Sequence, residues 1–207
     1  YGYILPEFEK GMGSAYGGKW RPSPNKPEDQ RFIGSPGEIK TIYKNSYRVD
    51  TKIGEDGMAT MERHYTNHGF PKHHTNPHDH IIIWDPENGF PKLGPSINYS
   101  GTVPEFKLYR RNLKLNKIIR ANTPEENRFQ TISDFIWCMK SGGEVQFIWG
   151  NKTYGIIHIE EGIVISEIYN EESEKICKDT NEVLEYMVGE DRLRDVITKV
   201  KVIDRTI

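Results

Sequence analysis

Proline and glycine are concentrated near the middle of this 207-residue chain, and their position limits how the chain can fold. Residues 86–104 contain four prolines and three glycines, namely Pro86, Pro91, Pro95, Pro104, Gly89, Gly94 and Gly101. Such a passage favours turns and loops over a continuous helix or strand. We therefore expect two small domains, over residues 38–103 and 131–207, separated by a linker over residues 104–130.

The first of these domains has the pattern of short strands. The segments "EIKTIYKN" and "SYRVDTKI" alternate between apolar and polar residues, and "GEDG" predicts a turn that leads into "MATMERHYT". These segments predict a three-stranded meander with long loops, followed by "IIIWD" as a buried strand that ends at Pro86. Residues 1–37 are rich in glycine and proline without a regular period, which predicts a loop-rich tail.

The second domain is predicted to be an α-β-β-β-α-β antiparallel layer. Thr131 or Ser133 can cap a helix in "TISDFIWCMKSGG" that stops at Gly142. The strands "EVQFIW", "KTYGIIHI" and "IVISEIY" follow. Asp179 or Thr180 can cap "NEVLEYMV", in which we expect Val183, Leu184 and Met187 to share one face, and "KVKVID" forms the last strand. The predicted fold class is therefore α+β.

Charge, hydropathy and cysteine content narrow the function classes. The formal net charge of −2 argues against a protein that coats nucleic acid, although a small nuclease needs only a local basic site. No apolar run approaches the roughly 18–20 residues of a membrane-spanning helix. We expect no membrane partner, and either a cytoplasmic location or delivery as part of a larger protein. Cys138 and Cys177 lie far apart outside any CxxC pair, so we expect core thiols.

Histidine is the chain's most distinctive feature. Six of its seven histidines fall within residues 64–80, namely His64, His68, His73, His74, His78 and His80. Imidazole exchanges protons near neutral pH and is also the commonest nitrogen ligand for zinc. The strand before this segment and the strand after it are joined by a loop of only about 13 residues, so we expect His64, His68, His78 and His80 to approach one another.

One interpretation of this segment is metal binding. His78 and His80 are two residues apart at the start of a strand, so both rings can face one side. His64 or His68 would complete a set of three ligands for zinc, with Asp79 nearby. No HExxH or CxxC spacing accompanies these residues.

A second interpretation is general acid/base catalysis of RNA cleavage without a metal. That reaction requires one group to take the proton of the 2′-hydroxyl, another to protonate the leaving oxygen, and a cation for the phosphate. His64, His68, His78 and His80 with Arg63 would form the catalytic set, and Lys72 and His74 would bind substrate. A third interpretation is structural, with His73 and His74 solvated in the loop and His158 alone in a strand.

The segment "GEDGMATMERHYTNHGFPKHHTNPHDHIIIW" resembles the C-terminal module of bacterial and prophage polymorphic toxins, in which a strand meander leads to a HxxxH…PHxH signature. The resemblance covers about residues 34–90 and rests on Glu62, Arg63, His64, His68, Gly69, Pro71, His74, Pro77, His78 and His80. It implies a ribonuclease of the barnase, EndoU, colicin and RelE-like group, acting on RNA without a cofactor.

Residues 118–207 are similar to small uncharacterised proteins of Firmicutes prophages and mobile elements. This resemblance implies an accessory or immunity-like domain, with an immunity protein or another protein as a partner. The leading hypothesis is a ribonuclease toxin module fused to such a domain. The alternative is a non-enzymatic phage or mobile-element protein whose histidines are structural or bind a metal such as zinc, and a metal-dependent hydrolase is a third hypothesis.

Overall fold

The computed structural model describes residues 19–106 and 116–207. Residues 1–18 of the predicted tail and residues 107–115 of the predicted linker lie outside the described residues. The described chain combines short helices with two main antiparallel sheets, which confirms the α+β class. No helix in these two ranges is long and apolar enough to span a bilayer.

The first sheet contains six strands in the order β5-β4-β3-β2-β1-β6. Neighbouring strands are antiparallel except β6, which pairs in parallel with β1. Their bounds are Ile39–Tyr43 (β1), Arg48–Ile53 (β2), Ala59–His64 (β3), His78–Trp84 (β4), Pro91–Asn98 (β5) and Asn116–Ile119 (β6). The predicted meander corresponds to β1, β2 and β3, and β4 begins at His78, three residues before the predicted strand "IIIWD".

Strand β5 lies within the passage that the sequence predicts to be loop, so the loop prediction is wrong for Pro91–Asn98. Its prolines are tolerated because β5 is an edge strand, where a missing backbone N–H interrupts no second ladder. Leu93 is buried in a core with Phe32 and Ile82, so the strand packs as a full member of the sheet.

The second sheet contains five strands in the order β10-β9-β8-β7-β13. Short helices and a two-stranded hairpin, β11 and β12, complete this part. The bounds are Pro124–Asn127 (α1), Ile132–Lys140 (α2), Val145–Trp149 (β7), Lys152–Ile159 (β8), Gly162–Glu167 (β9), Lys175–Cys177 (β10), Thr180–Leu184 (α3), Met187–Val188 (β11), Asp191–Arg192 (β12), Leu193–Val196 (α4) and Lys201–Arg205 (β13).

The helix signals in this part are confirmed in position and differ in length. Thr131 caps α2, and its side chain accepts a hydrogen bond from the backbone N–H of Asp134. Asp179 caps α3, which ends at Leu184. Met187 therefore does not share a helical face with Val183 and Leu184; it lies in β11 with half of its surface exposed.

The segment before β1, predicted as loop, contains a short 3-10 helix over Pro27–Phe32 that packs into the protein. Phe32 enters the core of the first sheet, and Arg31 is buried. Arg31 donates hydrogen bonds to the side chain of Glu62 and to the backbone carbonyl of Thr206, which follows the last strand. This helix therefore connects the first sheet with the end of the second part.

The two sheets meet at the loop between β3 and β4. Phe70 in this loop packs against Ile157 and Val164 on the face of the second sheet opposite its helices. At Gly155 in β8, a Cβ atom would lie 2.6 Å from the Phe70 ring. Glycine at this position therefore allows the histidine-rich loop to approach the second sheet closely.

Candidate metal centre

Five of the six clustered histidines converge in the interior between the two sheets. Their rings belong to His64, His68, His74, His78 and His80, and all five side chains are buried. Ring centroids lie 5.6 Å apart for His64 and His68, and 5.0 Å apart for His78 and His80. The prediction that His64, His68, His78 and His80 approach one another is confirmed.

Strand alternation brings three of these rings to one face of the first sheet. Side chains two residues apart on a strand point to the same side, so Glu62 and His64 of β3 share a face, as do His78 and His80 of β4. The register pairs His64 with His78 and Glu62 with His80. Two adjacent strands thus present three imidazoles and one carboxylate to the same space.

The loop supplies the other two rings. His68 has a positive φ of 54°, which is uncommon for a residue with a side chain, and its backbone N–H donates to the Thr66 hydroxyl. The loop turns back at His74, whose backbone N–H donates a hydrogen bond to the Phe70 carbonyl. Unusual backbone geometry of this kind is found most often at functional sites.

Glu144, from the second part of the chain, reaches into the middle of the histidine cluster. It directly precedes β7, and its backbone N–H and carbonyl both bond to Thr206. Its Oε2 lies 3.4 Å from His64 Nδ1 and 3.0 Å from His68 Nε2, and its side chain is almost fully buried. The cluster is therefore built from both parts of the chain.

Hydrogen bonds fix which nitrogens of His78 and His80 carry protons. His78 Nδ1 lies 2.9 Å from the Thr66 carbonyl and 3.0 Å from the Thr75 carbonyl. His80 Nδ1 lies 2.8 Å from the Gly94 carbonyl. Because a carbonyl only accepts, both Nδ1 atoms must donate, and in the neutral rings each Nε2 keeps a lone pair.

His64 is oriented in the same way by a carboxylate. Its Nε2 lies 3.3 Å from Glu62 Oε2, and Glu62 Oε1 accepts hydrogen bonds from Arg31 at 2.5 Å and from Thr51 at 2.8 Å. When the ring is neutral, as a metal ligand must be, donation from Nε2 to Glu62 leaves the lone pair of His64 on Nδ1, facing His68 and Glu144. A metal-ligating histidine almost always donates its second ring N–H to a carboxylate, a backbone carbonyl or water.

The electrostatics of the cluster depend on burial and on two carboxylates. Burial lowers the pKa of His74 to about 4 and also lowers those of His78 and His80. Burial alone would also lower the pKa of His64, but the ionised carboxylates of Glu144 and Glu62 beside it outweigh burial and raise the pKa to about 9. The two carboxylates therefore favour a positive charge on the His64 ring.

The two carboxylates remain ionised. Burial would raise their pKa values, but Arg31 and His64 hold the pKa of Glu62 well below its usual range. The pKa of Glu144 is also far below normal, because electrostatic attraction from His68 and His80 and the close approach of the His64 and His68 rings outweigh burial. Without a metal, the centre thus combines two anionic carboxylates with a His64 ring that favours the protonated form and with neutral rings at His74, His78 and His80.

Several polar atoms of the cluster have no hydrogen-bond partner among the described residues. They are both nitrogens of His74, Nε2 of His78, Nε2 of His80, and both carboxylate oxygens of Glu144. A buried polar atom without a partner costs about 1–3 kcal/mol, and so many in one place call for a common partner. Each of these atoms can donate a lone pair, except the one nitrogen of His74 that carries the ring proton.

The donor atoms are spaced as metal ligands are. Ligating atoms of His64, His68, His78 and Glu144 all lie within 4.8 Å of one another. In a tetrahedral site with bonds of about 2.0–2.1 Å, ligand atoms are about 3.3 Å apart. His64 Nδ1 and His68 Nε2 are 3.4 Å apart, close to that separation.

Two residues predicted to act on a substrate lie elsewhere. Arg63 is on the opposite face of the first sheet, where it forms a two-pronged ion pair with Asp79 at 2.7 and 2.8 Å. Lys72 is exposed and pairs with Glu171. His73, predicted to be solvated, is partly buried and pairs with Glu174, whereas His74 joins the buried cluster.

Glu144 was not among the predicted site residues, and one pattern in the sequence points to it. The alternation of "EVQFIW" places Val145 and Phe147 in the core beneath the helices, so Glu144 and Gln146 face the other way. Gln146 donates to the backbone carbonyl of His68. Nothing in the sequence states that this face meets the histidine loop.

Comparison of the chain with profiles of known protein families, with curated proteins and with solved structures finds no match.

Proposed function

We propose that this protein binds a divalent transition-metal ion between its two sheets, through the clustered histidines and Glu144. The observation that carries the proposal is the direction of the lone pairs. Carbonyl acceptors and Glu62 hold the outer nitrogens of His78, His80 and His64. The remaining nitrogens of His64 and His80 face the Glu144 carboxylate, and a ligating atom of His78 lies within 4.8 Å of it. Imidazole and carboxylate are ligands that Zn²⁺, Fe²⁺ and Ni²⁺ accept.

The proposed role of the ion is to join the two parts of the chain. The imidazoles come from the first sheet and its loop, whereas Glu144 directly precedes β7 of the second sheet. We keep the two-domain organisation as part of this proposal, with the metal centre at the boundary. An ion that binds only the folded chain stabilises it by about 2.7 kcal/mol when its free concentration is 100 times the Kd.

The ribonuclease function stays a prediction and is the less favoured of the two. Acid/base catalysis on RNA requires the imidazoles to reach a polymer substrate. The side chains of His64, His68, His78 and His80 are all buried, and Arg63 lies on the other face of the sheet. The implied toxin, accessory and immunity roles likewise stay predictions.

The test uses full-length protein with any affinity tag removed, because polyhistidine tags bind metal themselves. The protein is stripped with a chelator, reloaded with Zn²⁺ or Ni²⁺, dialysed, and measured for metal content and thermal unfolding. We expect bound metal and a Tm that is higher by roughly 5–11 °C. At this chain length each kcal/mol of stabilisation raises the Tm by about 2–4 °C, and the ion contributes about 2.7 kcal/mol.

The matched control is His73→Ala, which removes a histidine of the same loop that pairs with Glu174 outside the cluster. It should bind metal as the parent does. No retained metal and no change in Tm would contradict the proposal. RNA cleavage by the chelator-treated protein, abolished by His64→Ala with the fold intact, would instead support the ribonuclease.

A further inference from the structure

The four-residue group of His64, His68, His78 and Glu144 does not account for the whole cluster. With that group bound to an ion, both nitrogens of His74 and Nε2 of His80 would still lack a partner among the described residues. These two rings contact the same central carboxylate. Whether these two rings are also ligands decides the coordination number of the ion. The inference on this point extends the proposed metal function and rests on it.

The Glu144 carboxylate lies against four rings at once. Its Oε2 faces His64 Nδ1 at 3.4 Å and His68 Nε2 at 3.0 Å. Its Oε1 faces His74 Nδ1 and His80 Nε2, both at 3.6 Å. The fifth ring, His78, has no ion-pair contact with Glu144 in the described structure, although their ligating atoms are within 4.8 Å.

His78 occupies the matching position on the other side of the same four rings. Its centroid lies 5.2 Å from His64, 5.3 Å from His68, 4.3 Å from His74 and 5.0 Å from His80. His78 and Glu144 therefore cap the four rings from opposite sides.

The four rings between the caps form a closed circuit. Neighbouring centroids are 5.6 Å apart for His64 and His68, 5.8 Å for His68 and His74, 6.1 Å for His74 and His80, and 5.0 Å for His80 and His64. The diagonal pairs, His64 with His74 and His68 with His80, have no ring contact in the described structure. Each of the six groups thus neighbours four others and opposes one, as the corners of an octahedron do.

Distances and charge are consistent with a single ion inside this octahedron. Bonds of about 2.1 Å to six ligands place neighbouring ligand atoms about 3.0 Å apart and opposite ones about 4.2 Å apart. The carboxylate contacts of 3.0–3.6 Å are close to the first value. One divalent ion with Glu144 leaves a net charge of +1, whereas two ions would leave +3 in the protein interior, at a high desolvation cost.

We infer that the centre holds one six-coordinate ion, ligated by His64, His68, His74, His78, His80 and Glu144. Such a site takes ions that adopt octahedral coordination with nitrogen ligands, such as Fe²⁺, Co²⁺ or Ni²⁺. It disfavours Zn²⁺, whose structural sites are almost always tetrahedral. His74 and His80 are then ligands equal to the other three histidines.

The test uses Co²⁺ as the probe, because its visible absorption is weak in six-coordinate sites and intense in four-coordinate sites. Full-length, tag-free protein is stripped of metal and titrated with Co²⁺, and binding is measured by absorption and by metal content. We expect one Co²⁺ per chain with weak absorption. His74→Ala and His80→Ala should each weaken binding by at least roughly 10- to 100-fold, the loss seen when even outer partners of ligands are removed. His73→Ala should leave binding unchanged.

Other results overturn the inference while leaving the proposed metal function in place. One such result is intense Co²⁺ absorption in the parent protein together with unchanged Co²⁺ affinity in His74→Ala and His80→Ala. Another is the binding of two Co²⁺ ions per chain. Failure to bind Co²⁺, Ni²⁺ or Zn²⁺ would contradict both proposals. If an alanine variant loses its far-ultraviolet circular dichroism spectrum, the absorption and stoichiometry of the parent protein still decide the coordination number.

Discussion

At the scale of single residues, the centre depends on groups that hold the ligands as much as on the ligands themselves. His78 and His80 are oriented by backbone carbonyls, and His64 is oriented by Glu62. Glu62 is in turn neutralised by the buried guanidinium of Arg31. Fixed outer contacts of this kind keep the lone pairs directed at one point before an ion arrives.

Glu144→Gln is the sharpest change at this scale, because it keeps the side chain's shape and removes its charge. We expect metal affinity to fall by at least roughly 10- to 100-fold while the fold is retained. Isothermal titration of the metal-free variant with Ni²⁺ measures the loss. Glu174→Gln, which alters the partner of His73 outside the cluster, is the control. Equal affinity in parent and Glu144→Gln would exclude Glu144 as a ligand.

Glu62→Gln should reduce stability as well as metal binding. The change leaves the Arg31 charge buried without its anionic partner, and breaking a buried ion pair from one side costs about 3–5 kcal/mol. Urea denaturation measures the free energy of unfolding. Lys152→Ala, which removes a largely exposed pair with Glu167, should cost at most about 1 kcal/mol. Similar losses in the two variants would argue against the structural role of Glu62.

The histidine segment could be predicted from sequence because its residues are close along the chain. A strand, a short loop and a second strand must bring His64 and His78 together, and the register places them side by side. Glu144 could not be predicted, because it lies 64 residues beyond His80 in the sequence. Proximity in the sequence predicts that Arg63 acts together with His64, but adjacent residues of a strand point to opposite faces of the sheet.

At the scale of secondary structure, the position of the loop between β3 and β4 depends on its contact with the second sheet. Phe70, between His68 and His74 in the sequence, packs against β8 and β9. Gly155 in β8 leaves the space for that ring. The same packing therefore places two of the five imidazoles.

Gly155→Val should displace this loop. The first atom of the new side chain would lie 2.6 Å from both Phe70 and Ile168, and overpacking of this kind costs about 1–3 kcal/mol. We expect a lower Tm and weaker Ni²⁺ binding together. Gly101→Ala is the control, since a Cβ there meets nothing within 4 Å. Unchanged metal binding in Gly155→Val would separate the loop packing from the centre.

Most strands and the main helix followed from local sequence signals, and the exceptions have physical reasons. Thr131 and Gly142 bound α2 as the capping rules require. Strand β5 was missed because Pro91, Gly94 and Pro95 disfavour strands in general, and only its edge position permits them. The Gly94 carbonyl in this strand also accepts a hydrogen bond from His80 Nδ1.

At the scale of the whole molecule, the two parts are connected by more than the chain that links them. Lys44 from the first part forms a buried ion pair with Asp204 of β13, and Arg31 bonds to Thr206. With the ion between them, the parts should unfold together. The exposed stretch after β5 is then a place where the chain can be cut without separating them.

A glutamate-specific protease should cleave after Glu105, which is exposed beyond the end of β5. We expect the fragments to elute together in gel filtration when Ni²⁺ is bound, because the ligands come from both sides of the cut. Mass spectrometry identifies the cleavage site. Separation of the fragments in the presence of metal would show that the centre does not join the two parts.

The most direct measurement for the central claim is a crystal structure of the metal-loaded protein, with an anomalous difference map recorded at the absorption edge of the ion. The account predicts one strong peak inside the cluster, within about 2.0–2.3 Å of the nitrogens of the buried histidines and of a Glu144 oxygen. A map without a peak in the cluster, or with peaks only at groups outside it such as His73 and Glu174, would contradict it.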